Sequence, residues 1–320
     1  MRIRFKIFIF IILCFIHCGA ALPPVSAADT IDTALLEKIG RDSFRYFLDY
    51  TPERTGLTRD NSKPGAPSSI AAVGFYLSSL VIAAENRWIS RTSAYDRALT
   101  TLNHIYYKTD KKKGFFYHFI DPHSGRRTWG SEASSIDTAL LVAGALVAGR
   151  YFKDSQIEEL ATKIYEEVDW KWMLNGSEYI CHGYKPESGF LPFYWDTYSE
   201  HLIMQALAIG SPTYPVPKSV WKKWKRNSQT INGRSIIYSY SGSLFTYQYP
   251  HAYIDFRELF DEDINYFSNS VYATLANRDF CSREGDMYET YRKGYWGITA
   301  CLGPRGYKAY GAEPAESYYN

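Results

Sequence analysis

Glu200 stands in the stretch Trp195-Asp196-Thr197-Tyr198-Ser199-Glu200-His201, which runs directly into the apolar segment Leu202 to Ile209. A carboxyl group at the edge of an apolar interior, walled by rings, has its pKa raised by desolvation. That is the setting in which a carboxylic acid donates a proton near neutral pH. Asp137, behind Ser134-Ser135-Ile136, opens a second apolar segment of the same kind. Two carboxylates facing one ring-lined space are the minimal equipment for glycoside hydrolysis. A helix dipole favours an ionised carboxylate, which suits Asp137 as a base. Glu200 then needs the desolvation that Trp195, Tyr194 or Tyr198 can supply to serve as the acid. Both residues have a structural alternative, as first-turn groups that complement a helix N-terminus. Glu132 and Asp196 are further carboxylate candidates.

Residues that could hold a sugar surround these two. Tyr247-Gln248-Tyr249-Pro250-His251-Ala252-Tyr253-Ile254-Asp255-Phe256-Arg257 mixes ring faces for stacking on pyranose with Gln248, His251, Asp255 and Arg257 for hydroxyl groups. Its structural alternative is an Asp255–Arg257 ion pair within a tyrosine-rich core. Trp195, Asp196, Tyr198, Tyr249, His118 and Asp60 complete the set of expected substrate contacts. Other chemistries fail on motif grounds: there is no phosphate loop, no strand-linked GxGxxG and no GxSxG elbow. The 7 histidines are scattered without zinc spacing. Neither a metal nor an organic cofactor is expected.

At the N-terminus, Arg2, Arg4 and Lys6 precede an apolar run from Ile7 to Ile16. Val25-Ser26-Ala27 then offers a small-residue cleavage site, so residues 1–27 read as a signal peptide. The apolar run is short for a membrane span. Cys18 could mark a lipoprotein, but His17 suits that poorly, and export to the periplasm or medium as a soluble protein is favoured. Without those three basic residues, a net charge of +2 becomes −1, and no field remains to attract nucleic acid. Cys181, Cys281 and Cys301 stay in the mature chain, without metal-ligand spacing. Aromatic residues make up 17% of the chain, with 28 Tyr, 18 Phe and 8 Trp. Many sit beside Gly and Pro in irregular stretches, as rings do in carbohydrate clefts.

The elements that must position these residues read as helices of two alternating kinds. Ile31 to Asp49, Ser93 to Tyr107 and Ile157 to Trp172 are amphipathic, whereas Ser69 to Ala84, Ser135 to Gly149 and Ser199 to Ile209 are apolar all round. Helices apolar on every side are buried, and amphipathic ones lie outside them. The alternation predicts an all-α toroid with inner and outer helical rings. Links entering the apolar helices are long and aromatic, so they gather at one end with Asp137 and Glu200. Farther on, a short basic helix is expected around Val220 to Arg226. A hairpin should span Ile236 to Tyr247, turning near Ser241-Gly242, and a helix Asp263 to Phe280. About nine helices can be counted, against twelve in a closed ring of six and six, so the last helices are expected to be lacking.

Three segments together resemble the glucoamylase-like domain family. They are Ser134 to Leu141, Trp195-to-His201 with Leu207-Ala208-Ile209-Gly210-Ser211-Pro212, and Tyr249 to Arg257. That family includes endo-β-1,2-glucanases of glycoside hydrolase family 144. Gly56-Leu57 with Asp60, Ile70 to Phe75, Gly114 to Phe119 and Trp296 to Ala300 extend the likeness over residues 28–320 as one domain. The resemblance implies an (α/α)6 barrel and anomer-inverting hydrolysis, with Glu200 as proton donor and Asp137 activating or positioning water. The substrate it implies is a glucan or oligosaccharide, most of all β-1,2-glucan. The family continues past Gly303-Pro304-Arg305-Gly306-Tyr307 with further helices, which leaves activity of this chain open. Another α- or β-linked glucan, or glycan binding without turnover, are the alternatives.

Overall fold

The computed structural model describes residues 32–261 and 264–317, and the expected signal peptide at 1–27 lies outside the described residues. The fold is helix-rich. Its long helices are α1 (Thr33–Tyr50), α2 (Ile70–Glu85), α3 (Arg91–Lys108), α4 (Ser135–Tyr151) and α5 (Gln156–Glu166). After the short α6 (Trp170–Met173) come α7 (Leu202–Gly210), the short α8 (Val220–Lys223) and α9 (Phe245–Gln248), α10 (Tyr266–Arg283) and the short α11 (Glu289–Arg292). Among the described residues no helix is long and apolar enough to cross a membrane.

The expected two kinds of helix separate into two layers. α4 buries nearly its whole length, from Ser135 and Asp137 to Gly149, and packs between α2 and α7. α5 lies outside, against α3 and α4, with Ile157, Leu160, Ala161 and Ile164 turned inward. The α2–α4 crossing is unusually close. A Cβ on Gly144 would lie 2.0 Å from the Gly74 carbonyl oxygen, and one on Gly74 would lie 2.3 Å from that of Leu140. Only hydrogen fits on either Cα. At α1 the inward face is not uniform: Phe44 is buried, while Leu35, Leu36 and Ile39 on the expected apolar side are about half exposed.

Several boundaries differ from the sequence expectation for identifiable reasons. The segment Ile157 to Trp172 breaks after Glu166, because Asp169 caps a new turn by accepting from the Trp172 backbone N–H at 3.0 Å. The hairpin pairs Ser228–Ile231 with Arg234–Ile237 and turns at Asn232-Gly233 rather than Ser241-Gly242. Asn232 and Gly233 have φ of 50° and 74°, the left-handed pair that Asn-Gly adopts most easily. Residues 245–247, placed in the hairpin by sequence, belong to the helix Phe245–Gln248.

Short strands tie the entry loops together. Ser68–Ser69, leading into α2, pairs with Phe119–Ile120. Ala133–Ser134, leading into α4, pairs with Gly183–Lys185, which pairs in turn with Gly189–Phe190. α2 and α4 are therefore each entered from a strand held by the next long loop. Backbone bonds from Ile70 N–H to His118 C=O and from Ser135 N–H to His182 C=O, both 3.1 Å, continue the stitching into the first turns. The loops that carry Asp60, His118, Glu132 and the Trp195-to-Glu200 segment are thus collected at one end.

Candidate active site

Asp137 is 7% exposed in the first turn of α4. Ser134, the N-cap residue, accepts from the Asp137 backbone N–H and donates its hydroxyl to Asp137 Oδ2 at 2.5 Å. His118 faces the same carboxylate, with Nε2 3.7 Å from Asp137 Oδ1, and its Nδ1 lies 3.0 Å from Glu132 Oε1. The imidazole is clamped between two acids. Burial opposes its charge, but the Asp137 carboxylate and the hydrogen bond to Glu132 outweigh that and raise its pKa to about 9. Glu132 answers in kind: burial pushes it up, yet the bond and charge of His118 hold it below the usual carboxylate range. Asp137 is raised by burial, with His118 and Ser134 pulling the other way.

Glu200 is half-buried in the turn just before α7, which starts three residues later than the sequence suggests. Burial raises its pKa, the Ser199 hydroxyl opposes by donating to Oε2, and the Asp137 charge raises it further. The Asp137 charge thus acts on the Glu200 carboxyl. Tyr249 and Tyr307 feel the Glu200 charge, and the Asp60 charge reaches His118, Asp137 and Tyr307. Asp60, His118, Glu132, Asp137, Glu200, Tyr249 and Tyr307 thus form one constellation drawn from five separate segments.

Trp195 connects the two halves of it. Its Nε1–H donates to Ser135 Oγ at 2.9 Å, and its ring stacks on His182 with centroids 4.1 Å apart. Ser135 in turn donates to the His182 carbonyl at 3.0 Å. The segment that holds Glu200 is thereby fastened to the first residue of the helix that holds Asp137.

Other expected contacts lie elsewhere. Tyr198 has no exposed surface; it stacks between Tyr247 and Tyr266, with centroids at 5.4 and 6.4 Å, and offers no face to a ligand. His251 turns away toward α10, where Nε2 is 2.8 Å from Ser270 Oγ and the ring packs edge-on against Phe256. Asp255 and Arg257 form an exposed ion pair at 2.5 Å, which holds the Asp255 pKa at about 2. Asp196 pairs with Lys225 at 3.3 Å on the surface. In each case a nearby cation or an interior position explains the residue without a substrate. Tyr307 and Ser199 were not singled out from sequence. Ser199 could have been, as a hydroxyl adjacent to the candidate acid, whereas nothing local marks Tyr307.

His118, Glu132 and Asp137 present ligand-type atoms within 4.8 Å of one another, the group of this kind among the described residues. A cation there would compete with the proton that keeps His118 positive, and a protonated imidazole has no lone pair to give. The donor set fits an internal ion-pair network better than a metal. What it can do chemically is hold a cation against two carboxyl groups, near a third whose pKa burial raises.

Comparison with known proteins places the chain beside glucan hydrolases and solved glucoamylase-like folds. Residues 192–319 match the family described as "Putative glucoamylase". An exo β-1,2-glucooligosaccharide sophorohydrolase (non-reducing end) of Parabacteroides distasonis is 26% identical over 312 residues, covering 84% of this chain. The chain spans 43% of that relative's length. A solved "putative glucoamylase" of Bacteroides fragilis superposes with a TM-score of 0.80 at 28% identity, covering 90% of this chain and 75% of its own. The endo-β-1,2-glucanase of Chitinophaga pinensis, solved with sophorotriose and glucose, shares the fold at a TM-score of 0.81 and 23% identity, over 89% of this chain and 75% of that one. In motif, in fold and over most of its length, the chain is similar to the glucoamylase-like family.

Proposed function

We propose that this protein is a glycoside hydrolase that cleaves a glucan, with β-1,2-glucan as the preferred substrate, by inversion at the anomeric carbon. The observation that carries the reading is the opposed pair of environments. Burial raises both carboxyl groups, but at Glu200 the Asp137 charge adds to the rise, whereas at Asp137 the His118 cation and the Ser134 hydroxyl pull the other way. Carboxyl groups whose surroundings drive them apart are the acid and base of such a reaction. Glu200 protonates the glycosidic oxygen as the bond to the anomeric carbon breaks. Asp137, countered by His118, takes a proton from the water that attacks the opposite face. Glu132, the carboxylate held below its usual range, is the second candidate for that role. The match to the sophorohydrolase favours the β-1,2 linkage, and the N-terminal basic and apolar run favours export to the periplasm or medium. Helix pairing in two layers is in keeping with an (α/α) toroid.

Reducing-end release from a panel of β-1,2-, β-1,3- and α-1,4-glucans tests the substrate class. Glu200→Gln should reduce kcat by at least about a thousand-fold while leaving oligosaccharide binding within a few-fold, since general acid catalysis and leaving-group protonation are lost together. Retention of most activity in that variant would remove Glu200 from the mechanism.

A further inference from the structure

Trp129 combines two properties that do not belong together in a merely structural residue. Its indole is 67% exposed, and its backbone is left-handed, with φ of 56°. Gly130 follows at φ of 59°, and Ser131 N–H bonds back to Thr128 C=O at 3.1 Å. Thr128 to Ser131 is therefore a tight turn that demands positive φ at both central residues. Gly130 suits it, whereas a bulky ring at the first position costs conformational energy that Asn or Gly would not. The chain uses Asn in the corresponding position twice, at Asn175-Gly176 and Asn232-Gly233. Trp129 is the one aromatic residue with positive φ among the described residues. Strain of this kind persists where the surroundings over-determine it, and it collects at ligand sites.

The surroundings do over-determine it. Thr128 N–H donates to Phe119 C=O at 3.0 Å, and the Ser131 hydroxyl bonds the Phe119 carbonyl at 3.0 Å. Arg127 Nε–H donates to Ser131 C=O at 2.5 Å, and its guanidinium grips Glu187 of the neighbouring loop. The indole thus stands on a clamped turn, tilted against Phe119 at 5.2 Å. Phe119 stacks on His118 at 3.9 Å, and His118 faces Asp137. An unbroken row of rings leads from the candidate base out to a rigid, exposed indole at the loop rim.

We propose that Trp129 is a sugar-stacking platform for a glucan residue beyond the bond that is cleaved, so that it sets the preference for longer chains. The apolar C–H face of a pyranose covers an indole well, and a platform already fixed in its bound orientation spends little entropy on binding. This rests on the glycan hydrolase reading above.

The test uses the full chain with β-1,2-gluco-oligosaccharides of increasing length and Trp129→Ala, Trp129→Phe and Trp129→Asn variants. For Trp129→Ala and Trp129→Asn, the ratio of kcat/KM for the longest substrate to that for the shortest cleaved one should fall about ten-fold, with Trp129→Phe keeping most of it. Trp129→Asn should at the same time raise the melting temperature, because it relieves the left-handed backbone. A loss spread equally over all lengths, or none at any length, overturns the proposal. If the wild-type chain releases nothing from any glucan, the hydrolase reading fails by itself. Calorimetric titration with the longest oligosaccharide then decides for Trp129: binding by wild type that Trp129→Asn weakens supports the platform, and equal binding or none refutes it.

Discussion

His118 offers the most direct test of the electrostatics, because its charge is what lets two carboxylates persist beside each other. A rise in pKa from 6.5 to about 9 corresponds to roughly 3 kcal/mol of preferential interaction with the imidazolium. The side chain is 32% exposed, so solvent screening reduces the figure to about 1–2 kcal/mol. The sign follows from the unfolded state. Below pH 6.5 both states hold the proton and the contribution is fully present; it is lost as pH rises through the folded value near 9. Urea denaturation of wild type and His118→Gln should therefore differ by about 1–2 kcal/mol at pH 6 and converge toward pH 10. Nitrogen-15 NMR of the imidazole supplies the midpoint directly. A midpoint near 6.5, or a stability gap independent of pH, would refute the clamp. The same variant leaves Asp137 without its cation, so the carboxyl rises further and the acid limb of any pH–rate profile moves to higher pH.

The buried interior makes other predictions. Gly144→Ala puts a methyl group 2.0 Å from the Gly74 carbonyl, where backbone cannot yield. The clash should outweigh the gain of about 1 kcal/mol in helix propensity and destabilise by roughly 2 kcal/mol net in chemical denaturation. A variant as stable as wild type would show that α2 and α4 can separate at little cost. His201, fully buried, behaves oppositely to His118: burial, aided by the charges of Arg226 and His182, depresses its pKa from 6.5 to about 3. The unfolded chain takes up that proton as pH falls below 6.5, so this site should remove about 2 kcal/mol of stability between pH 7.5 and pH 5. His201→Phe should lose less over that interval, and an identical loss would exclude His201 as the cause.

How far the sequence disclosed this site depends on which signal each part carries. α4 was readable because apolar side chains occupy every face of it, and its N-terminus was marked by Ser134 and Asp137. Tyr198 was misread, although its own spacing held the answer. Tyr198, His201, Leu202 and Gln205 fall at helical intervals and are all fully buried, so Tyr198 continues the inward face of α7 while Glu200 lies off it. Adjacency to an acid proved a weaker guide than periodicity. The His118–Glu132–Asp137 network could not be read locally. It is assembled by two-residue strands, too short to show alternation, that bring residues 14 and more positions apart into contact. Asp255 and Arg257 show the converse: opposite charges two residues apart simply paired with each other.

The stitching of the entry loops has a further consequence for the chemistry. Inversion needs an acid and a base separated by enough space for a water molecule, and the outcome turns on a few ångströms. In the inverting reaction proposed above, that separation is not left to two independent loops. The Glu200 segment is tied through Trp195 to Ser135, Ser135 is tied to His182, and His182 belongs to the loop whose strand pairs with Ala133–Ser134. Asp137 is capped by that same Ser134. The segment before Glu200 and the cap of Asp137 are therefore tied by hydrogen bonds around the entry to α4, and α4 itself is seated on α2 through glycine backbones in contact. The closely packed α2–α4 pair carries Asp137, and the Trp195–Ser135 bond anchors the segment that carries Glu200 to the same helix. Under that proposal, substrate preference is free to vary in the outer parts of the same loops, at positions such as Trp129, without disturbing the anchoring of the two carboxyl groups.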